Sequence, residues 1–517
     1  MAEYIVTVKK EANWEELNTE LTNDTSGDAS VDSNIIPDRA VPVSKLRATN
    51  KRNTHYDLTA EEVNKLKNDS RVEDIIALED LPDPVLFKIQ DGQDASSFNK
   101  GTTSAGNQDN YGLLRHISAT NNFGSSILDP GSAYNYVLDG TGVDVVIMDS
   151  GIEPTHPEWQ DAEGNSRLKQ VDWYSVSGVS GSQSGSHYTD TNGHGTHVAG
   201  TVAGKTFGWA KNAHIYAMKI QGTGYISLTE GFDIVTAWHN AKGTGRPTVV
   251  NMSFGYGYYL DSNVSPNTIG GADVAGGEYR GANHTETVRG NLLAKGVYGA
   301  TTSSSGIYFV PRRISSIDAD IQQMVTAGIH VVVSAGNNFM KHDEVAGTDY
   351  DNFLTDDSGN YYHYHRGSSP HDDEIIRVGA LRATAQSATL DQKASFSSAG
   401  PGVDIYACGE QIVSACSNTN EQSAVTYNLN GSFKQVKLSG TSMASPQVAG
   451  IVALVAQVHP DWTPAQIKGW MVNNAGDKIF STGQNNDYST DNSILGGSQK
   501  VAYLTMNGST PFTYSAS

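Results

Sequence analysis

The sequence predicts an α/β protein, with a mostly parallel central sheet flanked by helices and a small α+β domain in front of it. Three observations carry this. First, five runs of strand length, VDVVIMD (143–149), HIYAMKI (214–220), PTVVNMSFG (247–255), GIHVVVSAG (328–336) and IIRVGAL (375–381), are apolar nearly throughout. Strands buried on both faces of a parallel sheet have this composition. Second, helix-like stretches separate them, namely HGTHVAGTVAG, LTEGFDIVTAWHNAK and SIDADIQQMVTAG, and strand–helix alternation argues for α/β architecture. Third, residues 1–82 follow a different rule, with short strands and helices in turn between polar breaks.

In chain order, EYIVTVK reads as a strand from its β-branched and aromatic content. NWEELNTELTND reads as a helix and THYDL as a second strand region. TAEEVNKLKND opens with Thr59 and Glu62 in capping-box spacing, so it predicts another helix. RVEDIIALED closes the unit as a strand. The middle, VDSNIIPDRAVPVSKLRATNKRN, carries no distinctive signal. Residues 83–108 are rich in Gly, Ser, Asn and Asp and read as an exposed linker. The main domain then runs from 109 to 517. Two stretches in it look inserted: 256–310, rich in Gly, Tyr, Ser and Thr, and 341–366, rich in Asp, His and Tyr. After 476 the tail is polar.

The 517 residues suffice for more than one domain, and 38% are hydrophobic, as in globular proteins. The net charge of −21 disfavours nucleic acid and anionic membrane as partners, because phosphates and headgroups would be repelled. No apolar run reaches the roughly 20 residues of a membrane span. The start, MAEYIVTVKKEANWEEL, lacks the pattern of a signal peptide. The compartment stays open, and this start fits a cytoplasmic or virus-particle setting better than export through a leader. The two cysteines, Cys408 and Cys416, read as free buried thiols.

The chemistry-bearing residues sit where strands end. VDVVIMDSG ends on Asp149; an aspartate after an apolar run is costly without a partner, or it is a turn residue before Gly151. NGHGTHVAGTVAG places His194 and His197 three apart at a helix start. They read either as a metal pair or as one catalytic base beside one packed histidine. Ser442, in GTSMASPQVAGIVALVAQV, precedes a long apolar helix. It reads as an N-cap or as a nucleophile where helix amides favour negative charge. Pro446 is expected in the first turn. An α/β-hydrolase elbow would need Gly where Ala444 stands. GIHVVVSAGNN ends on Asn337, a turn amide or an oxyanion donor.

Asp, His, Asn and Ser thus occur in this chain order at strand–loop–helix junctions, and the motifs resemble the subtilisin-like serine proteases (subtilases). VVIMDSGIEPTHPEW is similar to the family's aspartate motif, NGHGTHVAGTVAG to its histidine motif and LSGTSMASPQVAGIVALV to its serine motif. VVNMSFG resembles its substrate strand and VVVSAGNN its oxyanion segment. The resemblance covers roughly 109–476 outside the insertions and is closest to the proteinase K branch. It implies a subtilisin-like fold and a serine endopeptidase in which Asp149 orients His194, His194 is the base and Ser442 the nucleophile. Asn337 would serve the oxyanion, and Ser253, Phe254 and Gly255 would pair with extended substrate. The primary pocket would have walls at 253–255, at Ser334, Ala335 and Gly336 up to Asn337, and at 366–369. Substrates would be proteins or peptides cut after large apolar or aromatic residues.

Residues 1–82 resemble the subtilase propeptide, a ferredoxin-like α+β unit, which implies a folding aid and intramolecular inhibitor. The family segment that usually ends Ala-Pro-Gly has Cys408 for the proline, and Gln447 stands where many members carry histidine. No cofactor is required and no metal ligand is assigned. Calcium is the one candidate ion, either at the family position taken here by Glu158 or among Asp343, Asp349, Asp351, Asp356 and Asp357. The alternative function is a structural or assembly protein, such as a virus-particle component, that keeps an inhibited subtilase domain.

Overall fold

The computed structural model describes residues 1–23, 39–86, 110–121, 136–297, 306–383, 390–477, 479–480 and 493–504. The N-terminal unit is a four-stranded antiparallel sheet. Its spatial order is Val43–Lys45, Asn53–Leu58, Ala2–Val8, Val72–Ala77. With helices Trp14–Thr22 and Ala60–Leu66 this makes the βαββαβ, ferredoxin-like arrangement. Asn13 caps the first helix, and Thr59 and Glu62 form the capping box at the second. Strand Val43–Lys45, with only three residues and two of them exposed, left no periodic trace in the sequence.

The period-two alternation of strand Ala2–Val8 decides how this unit sits. Val6 and Val8 face its own core with Leu17, Leu21, Tyr56, Leu58 and Leu66. Ile5 faces the other way and joins the main domain's core with Ile317 and Ile321. One face of the small sheet therefore lies on helices Leu228–Ala241 and Ser315–Thr326. Arg47, 2% exposed, sits in that contact between Asp233 and Asp320. Asn50 and Asn53 donate to Asp320, and the Ala48 and Thr49 amides donate to Asp233. Burial raises the Asp320 carboxyl. Burial pushes Asp233 up too, but Arg47 and the Thr49 hydrogen bonds outweigh it and leave that group lowered.

Among the described residues the main sheet has nine strands. Across it run Gly476–Asp477, Lys500–Val501, Ile405–Cys408, Ile376–Leu381, His330–Ser334, Thr248–Met252, Asp144–Asp149, His214–Lys219 and Leu168–Lys169. All neighbours are parallel except the Gly476–Asp477 edge. Val145 and Ile147 point into one core and Val146 and Met148 into the other, which is why the strand reads as a continuous apolar run. Helices His194–Ala203 and Thr441–Val458 pack on the first side. Among the described residues, Thr441–Val458 is the one helix long and apolar enough to cross a membrane, and nearly all of it is buried in this core.

Three boundaries differ from the sequence reading. The two insertions are one structure. Gly257–Asp261, Thr268–Ile269, Ala272–Tyr279, Ala282–His284 and Ile307–Pro311 from the first join Phe353–Asp356 and Tyr361–His363 from the second in a seven-stranded sheet. Their shared core holds Leu260, Val274, Val310, Leu354 and Tyr364. Of the stretch expected to be an exposed linker over 83–108, Asp83 is exposed, but Pro84 is buried and Val85–Leu86 is a strand; residues 87–109 lie outside the described residues. The polar tail contributes Ile494, Leu495 and Val501 to a buried cluster with Phe339 and Tyr406. Cys408 and Cys416 are buried thiols.

Candidate active site

Strand Asp144–Asp149 delivers Asp149 at its carboxyl end, 1% exposed, where sites collect in open α/β sheets. Helix His194–Ala203 begins on His194 after Gly193, whose φ of 89° is left-handed. His194 Nδ1 lies 2.8 Å from Asp149 Oδ1, and both side chains are fully buried. A carboxylate only accepts, so Nδ1 carries a proton and donates it to Asp149. Nε2 has no hydrogen-bond partner among the described residues. Asp149 Oδ1 also accepts from the Ser150 amide at 2.7 Å.

Ser442 is the second residue of helix Thr441–Val458. Its hydroxyl donates to the Ser253 carbonyl at 2.9 Å, and the Ser253 hydroxyl donates back to the Ser442 carbonyl at 3.1 Å. The second bond has a cause in the sequence. Pro446 lies in the second turn, not the first as expected, and has no N–H for the carbonyl four residues earlier. That carbonyl belongs to Ser442, and Ser253 takes it.

Asn337 follows strand His330–Ser334. Its Oδ1 accepts from the Thr441 amide and the Thr441 hydroxyl, each at 2.9 Å. The Thr441 hydroxyl accepts in turn from Gly336 N at 3.1 Å. With its oxygen so held, the Asn337 Nδ2 donor is fixed in place, buried, and without a partner among the described residues. Ser334, Ala335 and Gly336 continue the strand direction, with Ala335 N donating to Val378 and Gly336 at φ 100°. Ser368, in the third expected wall, accepts from Tyr256 N. Phe254 and Gly255 form a short antiparallel strand whose partner is this chain's own Leu86 and Val85, and Gln221 Nε2 donates to the Pro84 carbonyl.

His197 is separate from this cluster. Its Nε2 donates to the Ile412 carbonyl at 2.9 Å, and burial pushes its basicity down to about 3. Among the described residues, no three His, Cys, Asp or Glu side chains are grouped to hold a metal. Of the candidate calcium carboxylates, Asp343, Asp349, Asp351, Asp356 and Glu158 already have side-chain or backbone partners. Asp343 and Asp349 share Lys341, and Asp349 also binds Arg280. Asp351 pairs with Arg366, and Asp356 accepts from Tyr362 and Asn360. Glu158, 0% exposed, accepts from Tyr427, Thr206 and Phe207. Gln447 has a role of its own: its amide pairs with Asn110 in both directions and accepts from Trp209.

Sequence reasoning missed Thr441 and Ser150. Thr441 stands next to the serine in GTSMAS, and Ser150 follows Asp149, but nothing in either stretch says which group its hydroxyl meets.

The subtilase family model matches residues 140–496. Among similar proteins, alkaline serine exoprotease A of Vibrio alginolyticus is 27% identical over 342 residues, covering 66% of this chain and 43% of that protein. Proteinase R of Parengyodontium album is 28% identical over 349 residues, covering 66% and 59%. The chain thus spans about half the length of the curated relatives it matches. Fervidolysin from Fervidobacterium pennivorans, described as a keratinolytic enzyme related to subtilisin, shares the fold. Its TM-score is 0.50 at 18% identity, over 97% of this chain and 60% of that one.

Proposed function

This chain belongs to the subtilase family, and from that premise we propose that it is a serine endopeptidase with Asp149, His194 and Ser442 as its triad. The observation that carries the reading is the Asp149–His194 pair, whose Nε2 has no partner among the described residues, on a helix packed against the one that begins with Thr441 and Ser442, with Asn337 held by Thr441. Serine is a weak nucleophile until a base takes its proton. On substrate binding the Ser442 hydroxyl turns from the Ser253 carbonyl to His194 Nε2, a bond that tightens only in the reactive complex. Ser442 Oγ attacks the scissile carbonyl as Nε2 takes the proton, and Asp149 stabilises the imidazolium. The oxyanion meets Asn337 Nδ2 and the Ser442 amide, which as a first-turn N–H has no intrahelical acceptor. His194 then returns the proton to the leaving amine. No step calls for a metal.

The substrates we infer are proteins or peptides bound extended along Ser253, Phe254 and Gly255, with main-chain hydrogen bonds giving affinity. The N-terminal domain acts as an intramolecular inhibitor. The pairing of Val85 and Leu86 with that same strand, and the Arg47–Asp233–Asp320 contact, support this. A fluorophosphonate probe tests the catalytic reading on the purified chain with and without cleavage of the 87–109 stretch. It is expected to label Ser442 in the cleaved form and to leave Ser442→Ala unlabelled. No labelling of either form would return the chain to a structural role.

A further inference from the structure

Asp190 lies four residues before His194 and is 3% exposed. Its two oxygens accept five hydrogen bonds. Oδ1 takes the Ser150 hydroxyl at 3.0 Å and the amides of Asn192 and Gly193 at 3.1 and 2.9 Å. Oδ2 takes the Thr196 amide at 3.0 Å and the Thr196 hydroxyl at 2.6 Å. Gly193, at the cap position, has no side chain to satisfy the helix start. Asp190 supplies that function from outside the helix.

One partner lies on the other catalytic segment. Ser150 follows Asp149, and besides donating to Asp190 its Oγ accepts from the Gly195 amide at 2.9 Å. The two segments touch closely here: a Cβ on Gly195 would lie 2.1 Å from the Gly151 carbonyl. A single carboxylate thereby ties the turn after Asp149 to the first turn of the helix that presents His194. We propose that Asp190 is a positioning residue for the Asp149–His194 pair, fixing the separation of the two segments that carry them. This rests on the triad reading above.

The charges around it are few. Asp149 is the neighbouring carboxylate, and Lys219, held by the Ser186 and Thr189 carbonyls, is the neighbouring cation. His197 faces His194 from the next turn but is neutral above about pH 3. Burial raises the Asp190 carboxyl, and the hydrogen bonds from Thr196 and Gly193 pull it back in part.

Asp190→Asn keeps the size and loses both the charge and the ability to accept on both sides. Turnover per site, counted by fluorophosphonate titration, is expected to fall about 10-fold or more with KM within about twofold. A residue that merely stabilised the fold would lower the melting temperature and the titratable fraction, and leave the per-site turnover in place. Ser150→Ala serves if Asp190→Asn does not fold. It cuts the bridge between the two segments, so per-site turnover should fall about threefold or more. Unchanged per-site turnover in the folded variant would overturn the assignment. A wild type that neither labels nor hydrolyses would instead overturn the proteolytic reading, and this assignment with it.

Discussion

At the scale of single residues the candidate site depends on which polar atoms are spent and which are left free. Asn337 has its oxygen fixed by two donors of Thr441, and only its amide N–H is available. Asn337→Ala should lower kcat by about 10²–10³, the magnitude known for an oxyanion donor in subtilisin itself, with KM little changed. Thr441→Val removes one of the two anchors and keeps the backbone one, so a smaller loss of about 10-fold is expected; steady-state kinetics on a peptide substrate check both. His197 is a packed residue, and its prediction concerns stability. Burial lowers it from the ordinary histidine value to about 3. The unfolded chain therefore takes up the proton first on acidification. The stability tied to its neutral state is complete above about pH 6.5 and is lost as pH falls towards 3. His197→Gln should melt lower than wild type at neutral pH, show a shallower fall in melting temperature over that window, and keep turnover per folded molecule within about twofold. A large catalytic loss without instability would point back to a two-histidine site.

At the scale of elements, the strand Val85–Leu86 is the informative one. Its antiparallel register pairs Val85 with Gly255 and Leu86 with Phe254, one step short of Ser253. Ser253 is the residue whose carbonyl holds the Ser442 hydroxyl. The expected cut therefore lies immediately beyond the described strand, after Phe87. Mass spectrometry of the wild-type protein should find a new N-terminus at Lys88, and Ser442→Ala should accumulate as the intact chain. A wild-type protein fully active with no break between 87 and 109 would refute the inhibitor reading and leave the N-terminal sheet a docking module. The helix Thr441–Val458 shows the same economy: Pro446 frees the carbonyl that Ser253 then binds.

At the scale of the whole molecule, two stretches separated in sequence fold as one. Ala272–Tyr279 from the first insertion pairs with Phe353–Asp356 from the second, and Leu354, 0% exposed, fills their common core. Leu354→Ala should cost about 2–5 kcal/mol of local stability. Hydrogen exchange should then quicken across 257–261 and 272–279 as well as 353–363, while hydrolysis of a small peptide holds within about twofold. Exchange that quickens in 353–363 alone would mean that the insertions fold independently.

The sequence by itself determined the buried parallel strands and the helices of the N-terminal unit, the second with its capping box, through local rules of apolar runs and cap spacing. It also put Asp149, His194, Asn337 and Ser442 at strand–loop–helix junctions, where the resemblance to the subtilases, and no local rule, chose them from among other turn and cap residues. Tertiary structure alone decided the rest. That Asp190 reaches Ser150, that Thr441 holds Asn337, that the two insertions share a core, and that the tail buries Leu495 are all contacts between residues far apart in the chain or on separate elements. No periodicity encodes such a contact. A hydroxyl or carboxylate reads the same in sequence whether it faces water or a buried donor, and only packing sets which partner lies within hydrogen-bond reach.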